Sequence, residues 1–197
     1  IRDRYPSLGE TSSELSHQKM NEIPQKINSS ILSGEGLVLD FEGNAASGIR
    51  EIGIIGITNF SIKFAKEIVV EKDADLISFK MILDKKYEFI VSHNTHIEKN
   101  LLRKAFPYST LKEKRDMKWG PWLDTLKVYQ KLYPDNGGYD LKNLANVFLD
   151  KSLIEIHSSR YCRKDKSFFH NALFDAICTF LLCKRLSKQI NLDLFLY

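Results

Sequence analysis

Three features of this 197-residue chain predict an α/β protein built on a mixed sheet covered by helices. Three consecutive apolar, β-branched runs lie between residues 36 and 70, separated by short polar turns, which is the pattern of a strand meander. A later apolar run, 87–92, leads directly into a helical pattern. The longest helical pattern comes last, over about residues 171–189. Strands first, then helices alternating with a late strand, require a sheet with helices packed on it.

Element by element, residues 1–35 read as a polar N-terminal segment with Pro6, Pro24 and a Ser-rich stretch; Ser13–Met20 has a helical character without a strong period. The domain proper is expected over residues 36–197. Gly36–Phe41, Ile52–Thr58 and Ser61–Val70 are its first strands. Asp73 is a capping residue for a helix over Ala74–Leu83, with Ile77, Met81 and Ile82 as its apolar positions. Tyr87–Ser92 is the fourth strand, and the helix through Glu98–Phe106 stops at Pro107. A basic loop covers 109–120, with a weakly marked fifth strand near Trp119–Leu123. Leu123–Leu132 and Leu141–Phe148 are helices separated by Pro134-Asp135-Asn136-Gly137-Gly138, a strong turn signal. A second basic loop, Arg160–Lys166, precedes the final helix.

Composition narrows the class. Lys+Arg 29 against Asp+Glu 25 gives a net charge of +4, a balance that permits nucleic-acid binding through a local patch without requiring it. The three cysteines, Cys162, Cys178 and Cys183, form no CxxC pair and no zinc spacing, which fits reduced thiols in an intracellular, most simply cytoplasmic, protein. No run is apolar and long enough to span a bilayer, and the first residues lack the charged and apolar regions of a signal peptide.

The chemistry-bearing residues are spread along the chain. Asp40 and Glu42 lie two apart in an apolar strand, so both side chains point to one face and can share a cation. A strand with one solvated face is the plain alternative, but Leu37, Val38, Leu39 and Phe41 make an apolar setting for it. His170 and Asp175 stand at the mouth of the final helix. Asp175 there is also a good partner for the helix dipole. Ala172, Ala176, Thr179 and Cys183 form a small-residue stripe that lets this helix approach the sheet, while Leu173, Ile177, Phe180 and Leu181 pack into the core. His170 is a candidate general base, and the basic lead-in of Arg160, Arg163, Lys164 and Lys166 suits a loop closing on an anion. Lys112, Lys114, Arg115 and Lys118 form a further basic stretch. Trp119, Trp122 and Phe168 are candidates for base stacking, with core packing the better expectation. Oxygen-rich carboxylate sets favour magnesium or manganese, and two such ions roughly 4 Å apart serve phosphodiester hydrolysis.

Taken in order, these strings resemble the motifs of the DEDD superfamily of 3′–5′ exonucleases, in its histidine-containing branch. Asp40-Phe41-Glu42 matches the first motif, Asp-x-Glu. His170-Asn171-Ala172-Leu173-Phe174-Asp175 matches the third, His-x-Ala-x-x-Asp, and Trp122-Leu123-Asp124-Thr125-Leu126 with Tyr139–Ala145 is similar to the segment between. The second motif departs: His93-Asn94-Thr95-His96-Ile97-Glu98 carries Glu98 where the family has aspartate. The resemblance covers about residues 36–190. It implies a ribonuclease H-like fold with a five-stranded mixed sheet. It also implies two divalent cations, Mg2+ or Mn2+, held by Asp40, Glu42, Glu98 and Asp175. His170 would deprotonate the attacking water, and single-stranded DNA or RNA 3′ ends would release nucleoside 5′-monophosphates. Gly43 and Asn44 follow the first motif where the family contacts the terminal nucleotide; Asn44 could equally be a turn residue. Asn94, Arg163 and Lys164 complete the expected substrate contacts. Dimers occur in the resembling family, so a homodimer is compatible with the chain. The rival reading is a nucleic-acid-binding module that kept the fold and lost turnover through Glu98, one methylene longer than aspartate.

Overall fold

The computed structural model describes residues 31–107 and 117–197. Among these, β1 (Glu35–Asn44), β2 (Gly48–Thr58), β3 (Ser61–Val69), β4 (Phe89–Ser92) and β5 (Trp122–Asp124) form a mixed five-stranded sheet in the order β3-β2-β1-β4-β5. The first three strands are the expected antiparallel meander, and β4 and β5 add in parallel to β1. Helices are α1 (Asp73–Leu83), α2 (Thr95–Ala105), α3 (Thr125–Leu132), α4 (Leu141–Phe148), α5 (Lys151–Tyr161) and α6 (Ala172–Ser187). Short 3-10 turns occupy Ile31–Ser33, Lys164–Lys166 and Leu192–Phe195.

The pleat of β1 sorts its side chains into two cores. Leu37, Leu39 and Phe41 pack with Phe79, Leu83, Leu101 and Leu102 of α1 and α2, whereas Val38 packs with Leu173, Ile177 and Phe180 of α6. Asp40 and Glu42 share the parity of Val38 and therefore face α6. The same alternation on β2 puts Ile52 and Ile54 towards α1 and α2, and Ile55 towards α6. Gly53 lies on the α6 side, where an added Cβ would fall 2.1 Å from the Ala172 carbonyl oxygen. The helix N-terminus thus rests on bare backbone. Gly53→Ala is expected to cost about 1–3 kcal/mol through overpacking, read as a lower urea midpoint with an unchanged slope.

Several boundaries differ from expectation. The helix predicted from Leu123 begins at Thr125, because Trp122–Asp124 is strand and Asp124 caps α3 through Leu126 N–H at 3.0 Å. The α2 helix starts at Thr95, ahead of the predicted Glu98. In α1, Ile77 and Met81 face solvent and Phe79 and Leu83 face the core. Phe79 packs edge-on against Phe41, and that aromatic contact sets the helix rotation. The α5 helix was not expected at all. Packing begins before the expected boundary at residue 36: Leu32 is buried in the α6-side core. The Ser13–Met20 helix and the basic residues Lys112, Lys114 and Arg115 lie outside the described residues. Among the described residues, no helix is long and apolar enough to cross a membrane. The three cysteines are free thiols, and burial pushes Cys162 up to about 11 and Cys183 up to about 12.

Candidate functional site

Asp40 and Glu42 reach the site from the end of β1, where a register irregularity between Glu42 and Gly43 bends the β1–β2 hairpin. An added Cβ on Gly43 would come 2.2 Å from the Gly48 carbonyl oxygen, so the hairpin closes tightly there. Asn44 serves that turn: its Oδ1 accepts from Ala46 N–H and Ser47 N–H, both at 2.8 Å. The turn role weighed for Asn44 is the one its carbonyl oxygen fills.

Asp175 arrives on the first turn of α6 and is 7% exposed. Its Oδ2 accepts from His170 N–H at 3.1 Å, while Oδ1 is buried without a hydrogen-bond partner among the described residues. His170 itself is exposed, with a left-handed backbone (φ 69°) that folds the loop back onto Asp175. Among the described residues, Glu42, His170 and Asp175 offer ligand atoms that all lie within 4.8 Å of one another. One imidazole and two carboxylates at that spacing can hold a divalent cation or exchange a proton with a bound water.

Glu98 comes from the first turn of α2, is 3% exposed, and its Oε2 has no hydrogen-bond partner among the described residues. Burial is the main reason its carboxyl is pushed up to about 8, with Asp124 the acid pressing on it. Burial likewise raises Asp175 to about 7, assisted by Glu42 and Glu51. Asp40 is raised well above the usual carboxylate range by burial first, then by Asp175, Glu98, Glu42 and Glu51. Glu42 is raised by burial while His170 opposes the shift. Partly and fully buried carboxyl groups with spare oxygens, and with the His170 imidazole beside Glu42, fit a divalent-cation site: an ion would remove the repulsion that holds these protons on. Asp40 feels the charges of the other acids, Glu98 included; Asp40 and Glu98 both stand outside the Glu42–His170–Asp175 cluster, and Glu98 is the least exposed of the four acids.

Asn94 also has a left-handed backbone (φ 64°), and its N–H donates to Asp124 Oδ1 at 3.0 Å. Asp124 further accepts from Thr95 N–H and Leu126 N–H, so one carboxylate ties the starts of α2 and α3 together. His93 bridges elements rather than facing the acids. Its Nε2 lies 2.9 Å from the Tyr139 carbonyl oxygen, which can only accept, so Nε2 carries the proton. Its Nδ1 lies 3.0 Å from Thr125 Oγ1.

The basic lead-in divides. Arg163 is exposed and pairs with Asp165 at 2.7 Å, and Lys164 is exposed. Lys166 instead turns inward, where Nζ lies 2.6 Å from both Glu51 of β2 and Glu67 of β3. Its charge is committed to the sheet rather than offered to an anion. Glu51 stands directly opposite Glu42 across β1–β2 and also accepts from Ala172 N–H at 2.9 Å. Sequence reasoning missed Glu51 and Glu67. The only available signal was the parity of Glu51 with Gly53 and Ile55, and it became readable only with the β1–β2 register. Trp119 and Trp122 are buried in the α1–α2 core as expected, whereas Phe168 is 58% exposed two residues before His170. Lys118 pairs with Asp84 at 2.8 Å.

No protein-family model and no curated protein matches this sequence. Solved structures with the same fold do. Exonuclease X in complex with a 5′-overhanging duplex DNA is similar over 79% of this chain and 97% of that one, with a TM-score of 0.52 at 18% identity. Exonuclease I is similar over 79% of this chain and 41% of that one, with a TM-score of 0.58 at 14% identity. E. coli exonuclease I in complex with a dA16 oligonucleotide gives 0.57 at 13% identity over the same shares. The chain therefore spans about two-fifths of the length of exonuclease I, and shares with all three the ribonuclease H-like sheet.

Proposed function

We propose that residues 36–197 form a metal-dependent 3′–5′ exonuclease domain that trims single-stranded nucleic-acid ends to nucleoside 5′-monophosphates. The observation that carries this reading is the convergence of Glu42, Asp175 and His170 at the junction of β1 and α6, with Asp40 on the same face of β1 as Glu42. The motif resemblance and the exonuclease fold of the similar structures support it. Asp40, Glu42, Asp175 and, from the deeper side, Glu98 would hold two Mg2+ or Mn2+ ions, which when bound supply charge neutralisation at the attacked phosphodiester.

The chain's own groups account for the remaining steps. His170, exposed and fixed through its backbone to Asp175, takes the proton from the attacking water. Gly43, with the hairpin backbone around it, borders the place of the terminal nucleotide, and Asn44 and Asn94 flank it. Arg163 and Lys164 lie on the exposed loop that leads to His170, placed to meet phosphates of the strand.

A second reading rests on Glu98, the longer carboxylate of the second motif, which is deeply buried with its Oε2 unpartnered among the described residues. A binding module with weak or absent turnover would follow. Matched 5′-labelled single-stranded DNA and RNA, incubated with magnesium or manganese, separate the two. A ladder shortening from the 3′ end, reduced about 100- to 10,000-fold by His170→Ala, is the expected result. Binding without a ladder in the native chain, with cleavage gained by Glu98→Asp, would establish the second reading. The same assay tells which sugar is preferred.

A further inference from the structure

The loop that carries His170 is tied to the sheet by one side chain. Lys166 is 17% exposed, and Nζ meets Glu51 Oε2 and Glu67 Oε1 at 2.6 Å each. These carboxylates belong to adjacent strands and lie on the α6 face of the sheet, so one ammonium spans β2 and β3. Two acids side by side on a sheet face repel unless a cation stands between them. The other oxygen of Glu51 accepts the Ala172 N–H, at the first residue of α6. The segment from Lys166 to Ala172 is thereby pinned at both ends to β2. His170 lies between the pins, in a left-handed conformation that residues bearing a β-carbon adopt uncommonly.

We propose that Lys166, through Glu51 and Glu67, is a positioning residue that fixes the His170 loop against the candidate site. In kinetic terms this rests on the exonuclease reading above. Lys166 touches neither the substrate nor the reacting atoms; it sets where the imidazole stands. Displacing a reacting group by roughly 1 Å can cost about 100-fold in rate. Its effect should therefore fall on turnover and spare binding, since the exposed Arg163 and Lys164 remain.

The test uses the full chain with Lys166→Met, Lys166→Arg and Glu67→Gln. In metal-free protein, Lys166→Met is expected to speed hydrogen exchange of the His170 and Ala172 amides about 10-fold or more while leaving β1 amides unchanged. On single-stranded DNA it should lower kcat about 10- to 100-fold with KM changed less than about twofold. Lys166→Arg, which keeps a cation able to bridge both carboxylates, should recover most of the lost turnover. Glu67→Gln breaks only the outer tie and should show the same exchange effect in smaller degree; it decides the matter on the same criteria if Lys166→Met fails to fold. Unchanged exchange at His170 and Ala172 overturns the proposal, as does faster exchange with an unaltered kcat or a loss confined to KM. If the native chain cleaves nothing, the exonuclease reading fails, and the exchange arm alone decides whether Lys166 holds the loop.

Discussion

Asp40→Asn is expected to lower metal-dependent cleavage by about 1,000-fold or more and, in the same protein without metal, to raise its thermal midpoint at alkaline pH. The two effects have one origin. Asp40 faces α6 from β1, where burial and the neighbouring Asp175, Glu98, Glu42 and Glu51 all disfavour its charge. Losing a carboxylate that holds a divalent ion forfeits several kcal/mol of charge stabilisation in the transition state, and about 4 kcal/mol corresponds to 1,000-fold. Without an ion the same carboxylate is a liability whenever it is ionised. Asparagine keeps the shape and drops the charge. Each kcal/mol regained should raise the midpoint by about 2–4 °C for a chain of this size. Towards acid pH the gain should shrink, because a carboxyl raised in the fold is increasingly neutral there. Cleavage assays and thermal melts in chelator at two pH values check both halves. Loss of activity together with lower stability would make Asp40 a structural residue, and full activity would remove it from the ligand set.

How far the sequence foretells this arrangement depends on the range of the interaction concerned. The alternation of Leu37, Leu39 and Phe41 with Val38, Asp40 and Glu42 is local, and it announces both the strand and the shared face of the two acids. The small-residue stripe on the last helix is local too; its counterpart, Gly53, lies in β2 and acquires meaning only once α6 rests on it. The strand Trp122–Asp124 is too short to show a period, and Asp124 looks like part of the following helix because it caps that helix. The α5 helix keeps Leu153 and Ile156 at the surface and turns Ile154, Ser158 and Tyr161 inward, so its apolar residues do not fall on one face. Glu51 and Lys166 were invisible as site components for a related reason. A glutamate at the start of an apolar run reads as a solvated strand end, and a lysine in a basic loop reads as one more cation. Only the pairing of Glu42 with Glu51 shows why a cation must be imported from residue 166.

The metal-free protein should lose stability as pH rises from about 6.5 to 8, and Mg2+ or Mn2+ should oppose that loss. Glu98 and Asp175 are held protonated in the fold up to about 8 and about 7, whereas the unfolded chain releases those protons near 4.5 and 3.8. In this window the native state binds more protons than the unfolded state, so unfolding becomes easier with rising pH. Each group contributes up to roughly 1.4 kcal/mol per pH unit until its folded pKa is passed. His93 and His157 act the other way, since burial lowers both, but their contribution is complete once pH exceeds the unfolded value of about 6.5. Above that point the decline is therefore unopposed by these histidines. A divalent cation takes the place of the protons and binds only the ionised site, so the stabilisation it brings grows with pH. Thermal melts with chelator or with manganese across this range should diverge, the manganese curve lying several degrees higher near pH 8 and close to the chelator curve near pH 5. Glu98→Gln should flatten the metal-free slope. A midpoint that climbs between pH 6.5 and 8 without metal, or a manganese shift equal at both ends, would mean that these acids do not form a cation site.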